Sequence, residues 1–264
     1  MSTLMVLLHP AGAVAEQQGH LIVVATLLML IVILPVMALT VVFAWRYRKS
    51  NTRATYTPDW DHSTQLELVI WAVPLLIIIA LGAVTWISTH TLDPYRPLRT
   101  AAKPITVEVV ALDWKWLFIY PEQGIAVVND LAAPVDVPID FKITASSVMN
   151  SFFVPALAGQ IYAMPGMQTE LHAVINHAGD YDGFSANYSG AGFSDMRFQF
   201  HGMSEADFAR WVQAAKASGQ TLDPKGYRVL ERPSEHDPVR RYASVSPDLY
   251  ETIVARTVSA ADAL

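Results

Sequence analysis

Few residues in this chain of 264 offer reactive side chains at useful spacing. Cysteine is absent, which removes disulfides, thiolate-held zinc, iron–sulfur clusters and thiolate-held copper together. His172 and His177 lie five apart on an expected strand, where that spacing turns them to opposite faces and away from a shared metal. Met149, Met164, Met167, Met196 and Met203 offer soft thioethers, but polarizable core filler is the expected use. Glu67 stands just ahead of a long uncharged run. A carboxylate there either complements the positive end of a helix dipole or gathers protons from water. Trp114 and Trp116 open an aromatic stretch that ends at Tyr120. No G-x-S-x-G is present and no His/Asp/Ser grouping stands out, so a hydrolase has no basis in the sequence.

These residues need elements to hold them. Charged residues make up only 16% of the chain, against ~25% in soluble domains, and the deficit is local. Leu21–Trp45 and Leu68–Ile87 carry no charge, and each reaches the ~20 residues that cross ~30 Å of hydrocarbon as helix. Pro35 and Pro74 fall inside them, while Trp45, Tyr47, Trp71 and Trp86 sit toward their ends, where amphipathic rings favour an interface. Arg46, Arg48, Lys49 and Arg53 occupy the connection, and the first twenty residues hold no Lys or Arg. The positive-inside rule therefore predicts a cytoplasmic connection with both termini outside. Such a hairpin needs a leader, and Leu4–Leu8 is too short for one, so the numbering is expected to start near a processed or replaced N-terminus. The net charge of −6, with no basic tract, gives nucleic acid no footing.

From Ile105 the period changes from helix to strand. Strands are expected over 105–111, 114–120, 135–139, 141–145, 150–154, 170–175, 181–185 and 197–201, punctuated by Pro and Gly. Short turn-bounded strands at this spacing predict an all-β sandwich or barrel. Ser204 and Asp207 then resemble a capping box, and Phe208, Trp211, Val212 and Ala215 form an apolar helical stripe that Gly219 closes. The stretch from Pro247 suggests a last short helix.

Two N-terminal spans ahead of a β-domain resemble the layout of cytochrome oxidase subunit II. Asp113-Trp-Lys-Trp-Leu-Phe-Ile-Tyr-Pro-Glu-Gln-Gly-Ile-Ala, Met149-Asn-Ser-Phe-Phe-Val-Pro, Gln160-Ile-Tyr-Ala-Met-Pro-Gly-Met-Gln-Thr and Tyr181-Asp-Gly-Phe-Ser-Ala-Asn-Tyr-Ser-Gly resemble its quinol oxidase branch, the cytochrome bo type. The resemblance runs from about Pro10 to the C-terminal tail. It implies a membrane-anchored all-β protein: a periplasmic segment over 1–20, a transmembrane hairpin over 21–90 (helices about 21–45 and 68–87), a cupredoxin-like β-sandwich over 91–203 and a C-terminal helical extension over 204–264.

Copper-bearing members of that family carry His-Ser-(aromatic)-x-x-Pro and then Cys-x-Glu-x-Cys-x-x-x-His-x-x-Met. Here the first His position is Asn150, the Cys positions are Ser185 and Ser189, the Glu position is Asn187 and the second His position is Phe193. Met196 alone keeps a ligand type. A serine hydroxyl does not replace a bridging thiolate, so the resemblance implies a degenerate site and no cofactor bound by this chain. Ubiquinol, haem b, haem o or a and one copper would then belong to oxidase subunit I, with subunits III and IV as further partners in a bacterial inner membrane. The family carries a carboxylate at the Glu67 position, at the mouth of a proton channel, which implies proton entry there. Trp114 and Trp116 would be structural aromatics, since no copper stands behind them. A menaquinol-oxidising relative and a free-standing membrane-anchored binding or assembly module are the alternatives.

Overall fold

The computed structural model describes residues 10–55, 57, 59–98 and 102–261; the Leu4–Leu8 segment lies outside them. The chain divides into two compact units, His20–Asp93 and a second formed by Met1–Gly19 with Pro94–Leu264. The first holds most of α1 (Ala13–Arg46) and all of α2 (Thr64–Thr91). At 34 and 28 residues these rise about 51 and 42 Å, more than the ~30 Å hydrocarbon layer. Both enclose the uncharged runs and extend beyond them. Large apolar side chains from Ile22 to Trp45 and from Leu66 to Ile87 stand exposed. Helices apolar on every face need lipid or protein around them.

The second unit is a β-sandwich. Its six-stranded sheet runs β12 (Arg240–Tyr242), β3 (Ile125–Val128), β2 (Lys115–Tyr120), β1 (Ile105–Leu112), β5 (Pro138–Ala145) and β8 (Thr169–Val174). The five-stranded sheet runs β4 (Asp130–Pro134), β10 (Arg197–Met203), β9 (Gly179–Ser185), β6 (Asn150–Phe153) and β7 (Ile161–Ala163). Between them Trp116, Phe118, Phe141, Phe152, Phe198 and Phe200 pack with Val107, Val109 and Val127. Phe152 and Phe198 stack at 5.4 Å between centroids, and Trp116 meets both edge-on.

The outer face of the six-stranded sheet is also covered. Val110, Leu112, Leu117, Ile119, Ala126 and Val128 pack beneath Leu222, Tyr227, Leu230, Leu249, Tyr250 and Ile253 of the C-terminal extension. That extension holds α3 (Glu205–Lys216), a short β11 (Thr221–Leu222), α4 (Pro224–Leu230), β13 (Ser244–Val245) and α5 (Leu249–Ala261). Central strands buried on both faces lose the polar half of their alternation, which is why Ile105–Ala111 alternates only in part. The α3 start follows its capping signal: Ser204 Oγ accepts from Asp207 N at 3.2 Å and donates to Asp207 Oδ2 at 2.6 Å. Phe208, Val212 and Ala215 are buried on its inner stripe.

Several expected elements differ. The strand expected over 135–139 is a turn with Asp136 at φ 61°, and β5 begins only at Pro138. β4, β7 and α4 carry weak local patterns. β4 reads Asp-Leu-Ala-Ala-Pro and is a strand because β10 pairs with it in parallel, Gln199 opposite Asp130 through Met203 opposite Pro134. Trp114 sits in the β1–β2 turn, and β2 begins at Lys115.

The N-terminal residues join this unit as an added edge. Ala11 N and Gly12 N both donate to Ala156 O at 2.9 Å, and Asn176 N donates to Ala11 O at 2.8 Å. A Cβ on Gly12 would stand 2.6 Å from Val174 O and 2.7 Å from Leu157 O, so only glycine fits this approach.

Candidate functional site

β6 and β9 pair with Phe152 opposite Ser185, which brings Asn150 and Ser151 against the loop that follows β9. Asn150 and Ser185 are 1% and 3% exposed. The Ser185 hydroxyl has Asn150 Oδ1 at 3.1 Å and Asn187 O at 3.2 Å as alternative acceptors for its one proton. Its oxygen lies 3.4 Å from Ser151 N, which donates to it. Asn187 Nδ2 donates to Met149 O and Tyr188 O, each at 3.3 Å, and Asn150 Nδ2 donates to Val148 O at 3.1 Å. Met196 is buried, and its carbonyl accepts from Ser185 N at 3.1 Å. Phe193 lies in a 3-10 turn with its ring 5.6 Å from that of Tyr188.

Ser189 anchors the far end of this loop. Its carbonyl accepts from Trp114 Nε1 at 2.9 Å, and the indole lies so close to Gly190 and Gly192 that a Cβ on either would meet the ring at 2.8 and 2.6 Å. Trp116, fully buried, lies behind in the aromatic core. The side chains of Asn150, Ser185 and Asn187 are therefore neutral groups engaged with one another or with backbone. A pair of copper ions needs soft anionic bridges, and this donor set does not fit them. Among the described residues no group of three or more His, Asp or Glu is placed to hold a metal ion.

The C-terminal extension is stitched to the Trp114 turn by a buried cation. Lys115, 1% exposed, donates from Nζ to Arg232 O at 2.9 Å, Asp113 O at 3.1 Å and Ser234 Oγ at 2.5 Å, and faces Asp237 Oδ2 at 3.3 Å. Burial pulls its pKa below the usual lysine value, against the opposing pull of Asp237. For Asp237 burial acts upward, but Ser234, Arg240 and Lys115 outweigh it and hold the carboxyl low.

Glu67 belongs to the helical unit, in the first turn of α2. Its Oε1 lies 2.8 Å from His62 Nδ1, and His62 Nε2 lies 3.0 Å from Thr64 Oγ1. Both His62 and Glu67 side chains are more than half exposed. His172 on β8 meets Asp140 Oδ1 at 2.7 Å, whereas His177 lies beyond the strand, so their separation comes from the strand's end rather than from its alternation. Met149 and Met167 are exposed at 39% and 44%, a correction to their expected role as core filler; Met196 fills it.

One cluster escaped the sequence reading. Asp130, 4% exposed on β4, takes hydrogen bonds from His201 Nε2 at 2.9 Å, Arg241 Nη2 at 3.0 Å and Trp211 Nε1 at 3.3 Å. His201 Nδ1 reaches Asp180 Oδ1 at 2.5 Å. The hydrogen bond to Asp130 does most to raise the His201 pKa to about 9; burial opposes and Asp180 assists. The members come from β4, β9, β10, α3 and β12, so no local spacing signals them. Asp130 beside an apolar run was the one visible hint.

Residues 122–202 match the family model described as cytochrome c oxidase subunit II, periplasmic domain, and residues 216–260 match the COX aromatic rich motif. The chain is 56% identical over 248 residues to the cytochrome bo(3) ubiquinol oxidase subunit 2 of Pseudomonas putida, covering 94% of this chain and 79% of that one. It is 55% identical over 251 residues to the ubiquinol oxidase subunit 2 of Acetobacter aceti, covering 94% and 81%. The chain belongs to the ubiquinol oxidase subunit II family. The quinol oxidase subunit 2 of Bacillus cereus is more distant, at 37% over 227 residues, covering 86% and 78%. Among solved structures, the periplasmic domain of cytochrome oxidase subunit II of Bradyrhizobium japonicum aligns at 23% identity and TM-score 0.43, covering 46% of this chain and 99% of that one. Membership of this family makes the chain a membrane-anchored subunit of an oxidoreductase complex with a haem–copper core.

Proposed function

We propose that this chain is the subunit of a terminal ubiquinol oxidase that carries no redox centre of its own, in a complex that reduces oxygen to water and pumps protons. The observation that carries this is identity above half with ubiquinol oxidase subunits along nearly the whole chain. The lower identity to the Bacillus quinol oxidase subunit favours ubiquinol over other quinols. Ubiquinol is oxidised in the haem-bearing subunit I, which holds haem b, haem o or a and one copper; subunits III and IV complete the complex. The hydroxyl and amide groups at Ser185, Asn187 and Asn150 leave the loops folded on hydrogen bonds rather than on metal.

The chain lies in the bacterial inner membrane, with its termini and β-domain on the periplasmic side. The connection bearing Arg46, Arg48, Lys49 and Arg53 then faces the cytoplasm, which places Glu67 on the proton-supplying side. His62 and Glu67 support a proton-collecting role, because two groups able to carry a proton lie 2.8 Å apart and more than half exposed at the start of α2.

The test is to purify the complex from native membranes in mild detergent and record metal content and oxygen uptake. Haem with a single copper, and uptake driven by ubiquinol but not by reduced cytochrome c, is the expected result. Oxidation of cytochrome c, or a stable haem-free protein alone, overturns the reading.

A further inference from the structure

Glu108 is a carboxylate in an apolar seam. It lies on β1 between Val107 and Val109, and alternation turns it with Val110 and Leu112 toward the outer face that the C-terminal extension covers. Only 7% of it is exposed. Across the sheet its row runs Glu170 on β8, Lys142 on β5, Glu108 and Ile119 on β2, so one lysine stands between two carboxylates. From above, α5 brings Tyr250 and Glu251 over it, with Asp248 in the turn that enters the helix. The Tyr250 hydroxyl is buried and has no hydrogen-bond partner among the described residues. A cavity of about 340 Å³ lined by Glu108, Tyr120, Asp248, Tyr250 and Glu251 opens at this point. Arg256, the described cation of α5, pairs instead with Glu231 of the neighbouring segment.

We propose that Glu108 is a proton-operated latch: protonated, it lets the first turn of α5 close on the sheet, and ionised, it drives that turn open. An ionised carboxylate in the seam faces Glu251 from the helix and Glu170 beyond Lys142, with no hydrogen-bond donor to it among the described residues. Protonation removes the repulsion and the desolvation cost together. Leu249, Tyr250 and Ile253 then keep the apolar contacts that hold α5 down.

The sign follows from linkage. Burial first and Glu251 second raise the Glu108 pKa from 4.5 to about 7, with Lys142 opposing. The closed state thus binds the proton more tightly than the open one. Closure is strongest below about pH 4.5, weakens as pH rises toward 7, and levels off above that. A gap of roughly 2.5 pH units sets a ceiling of roughly 300-fold on the change in the opening constant. This device does not depend on what the oxidase oxidises.

The test is amide hydrogen exchange on the whole purified complex in detergent between pH 5 and 8, corrected for intrinsic rates, comparing α5 with β1. The expected result is an α5 opening constant that rises at least tenfold, roughly, with pH in the wild type, within the ~300-fold ceiling, while β1 stays protected. Glu108→Gln should hold α5 closed at every pH. Wild-type protection independent of pH, or the same profile in Glu108→Gln, overturns the latch. Should that variant fail to assemble, Glu251→Gln, altered at the exposed side of the seam, decides: the midpoint moves to lower pH if the latch is right and stays where it was if it is wrong.

Discussion

Replacing Asp130 with asparagine keeps the shape of the β4 side chain and removes the charge at the centre of its cluster. The amide still accepts from one neighbour, but its nitrogen faces a donor from His201, Arg241 or Trp211. The His201 pKa of about 9, against 6.5 when free, sets a ceiling of roughly 3 kcal/mol on what its charged form gains by folding. Part of that comes from Asp180, 75% exposed, where solvent screens the contact. Assigning roughly 2 kcal/mol to the Asp130 contact and about 0.5 to the partly exposed Arg241 gives a loss of about 2–3 kcal/mol. The loss depends on pH. A raised histidine pKa contributes stability that is full below about pH 6.5 and is lost as pH climbs through about 9. Urea unfolding followed by tryptophan fluorescence, at pH 6 and 9.5, should therefore show a large penalty for Asp130→Asn at the lower pH and under about 1 kcal/mol at the higher. Equal penalties at the two pH values would refute the reasoning, since the charge on His201 would then not be the source of the stability.

Glu67→Ala should slow turnover with ubiquinol while leaving assembly and haem content intact; unchanged turnover at every pH returns Glu67 to a helix-dipole role. Gly12→Ala should cost about 1–3 kcal/mol by driving a methyl group into two backbone carbonyls, seen as faster exchange at the Asn176 amide, and normal protection there would show that the edge can yield. Asn150→His, Ser185→Cys, Asn187→Glu, Ser189→Cys and Phe193→His made together should restore a purple copper centre, and a well-folded variant that takes up no copper would show that these loops are misaligned with the copper-bearing pattern.

The parts of the fold that were legible were those with a strong local period. Two uncharged runs, each long enough to cross the ~30 Å hydrocarbon layer as helix, lie within α1 and α2, and Ser204 with Asp207 starts α3 through contacts within one turn. β4 was illegible because Asp-Leu-Ala-Ala-Pro is a strand only through pairing with residues 69 positions away. The same holds for Val135–Val137, where apolar residues look strand-like but Asp136 adopts a left-handed turn.

For the candidate site, the residue types alone removed thiolate chemistry, because chemistry depends first on which atoms are present, and no fold supplies a missing sulfur. Only the tertiary structure decided how Ser185, Asn150 and Asn187 satisfy one another, since hydrogen-bond partners 35 and 38 residues apart follow from strand register. It likewise decided that Glu108 and Asp130, both acids in apolar stretches, meet opposite surroundings. Asp130 meets a histidine and an arginine that hold its pKa low against burial, and Glu108 meets Glu251 under a helix that raises its own. The sequence by itself determined two long apolar helices and the absence of any thiolate; packing alone determined which buried charges are compensated, because compensation depends on distance in space.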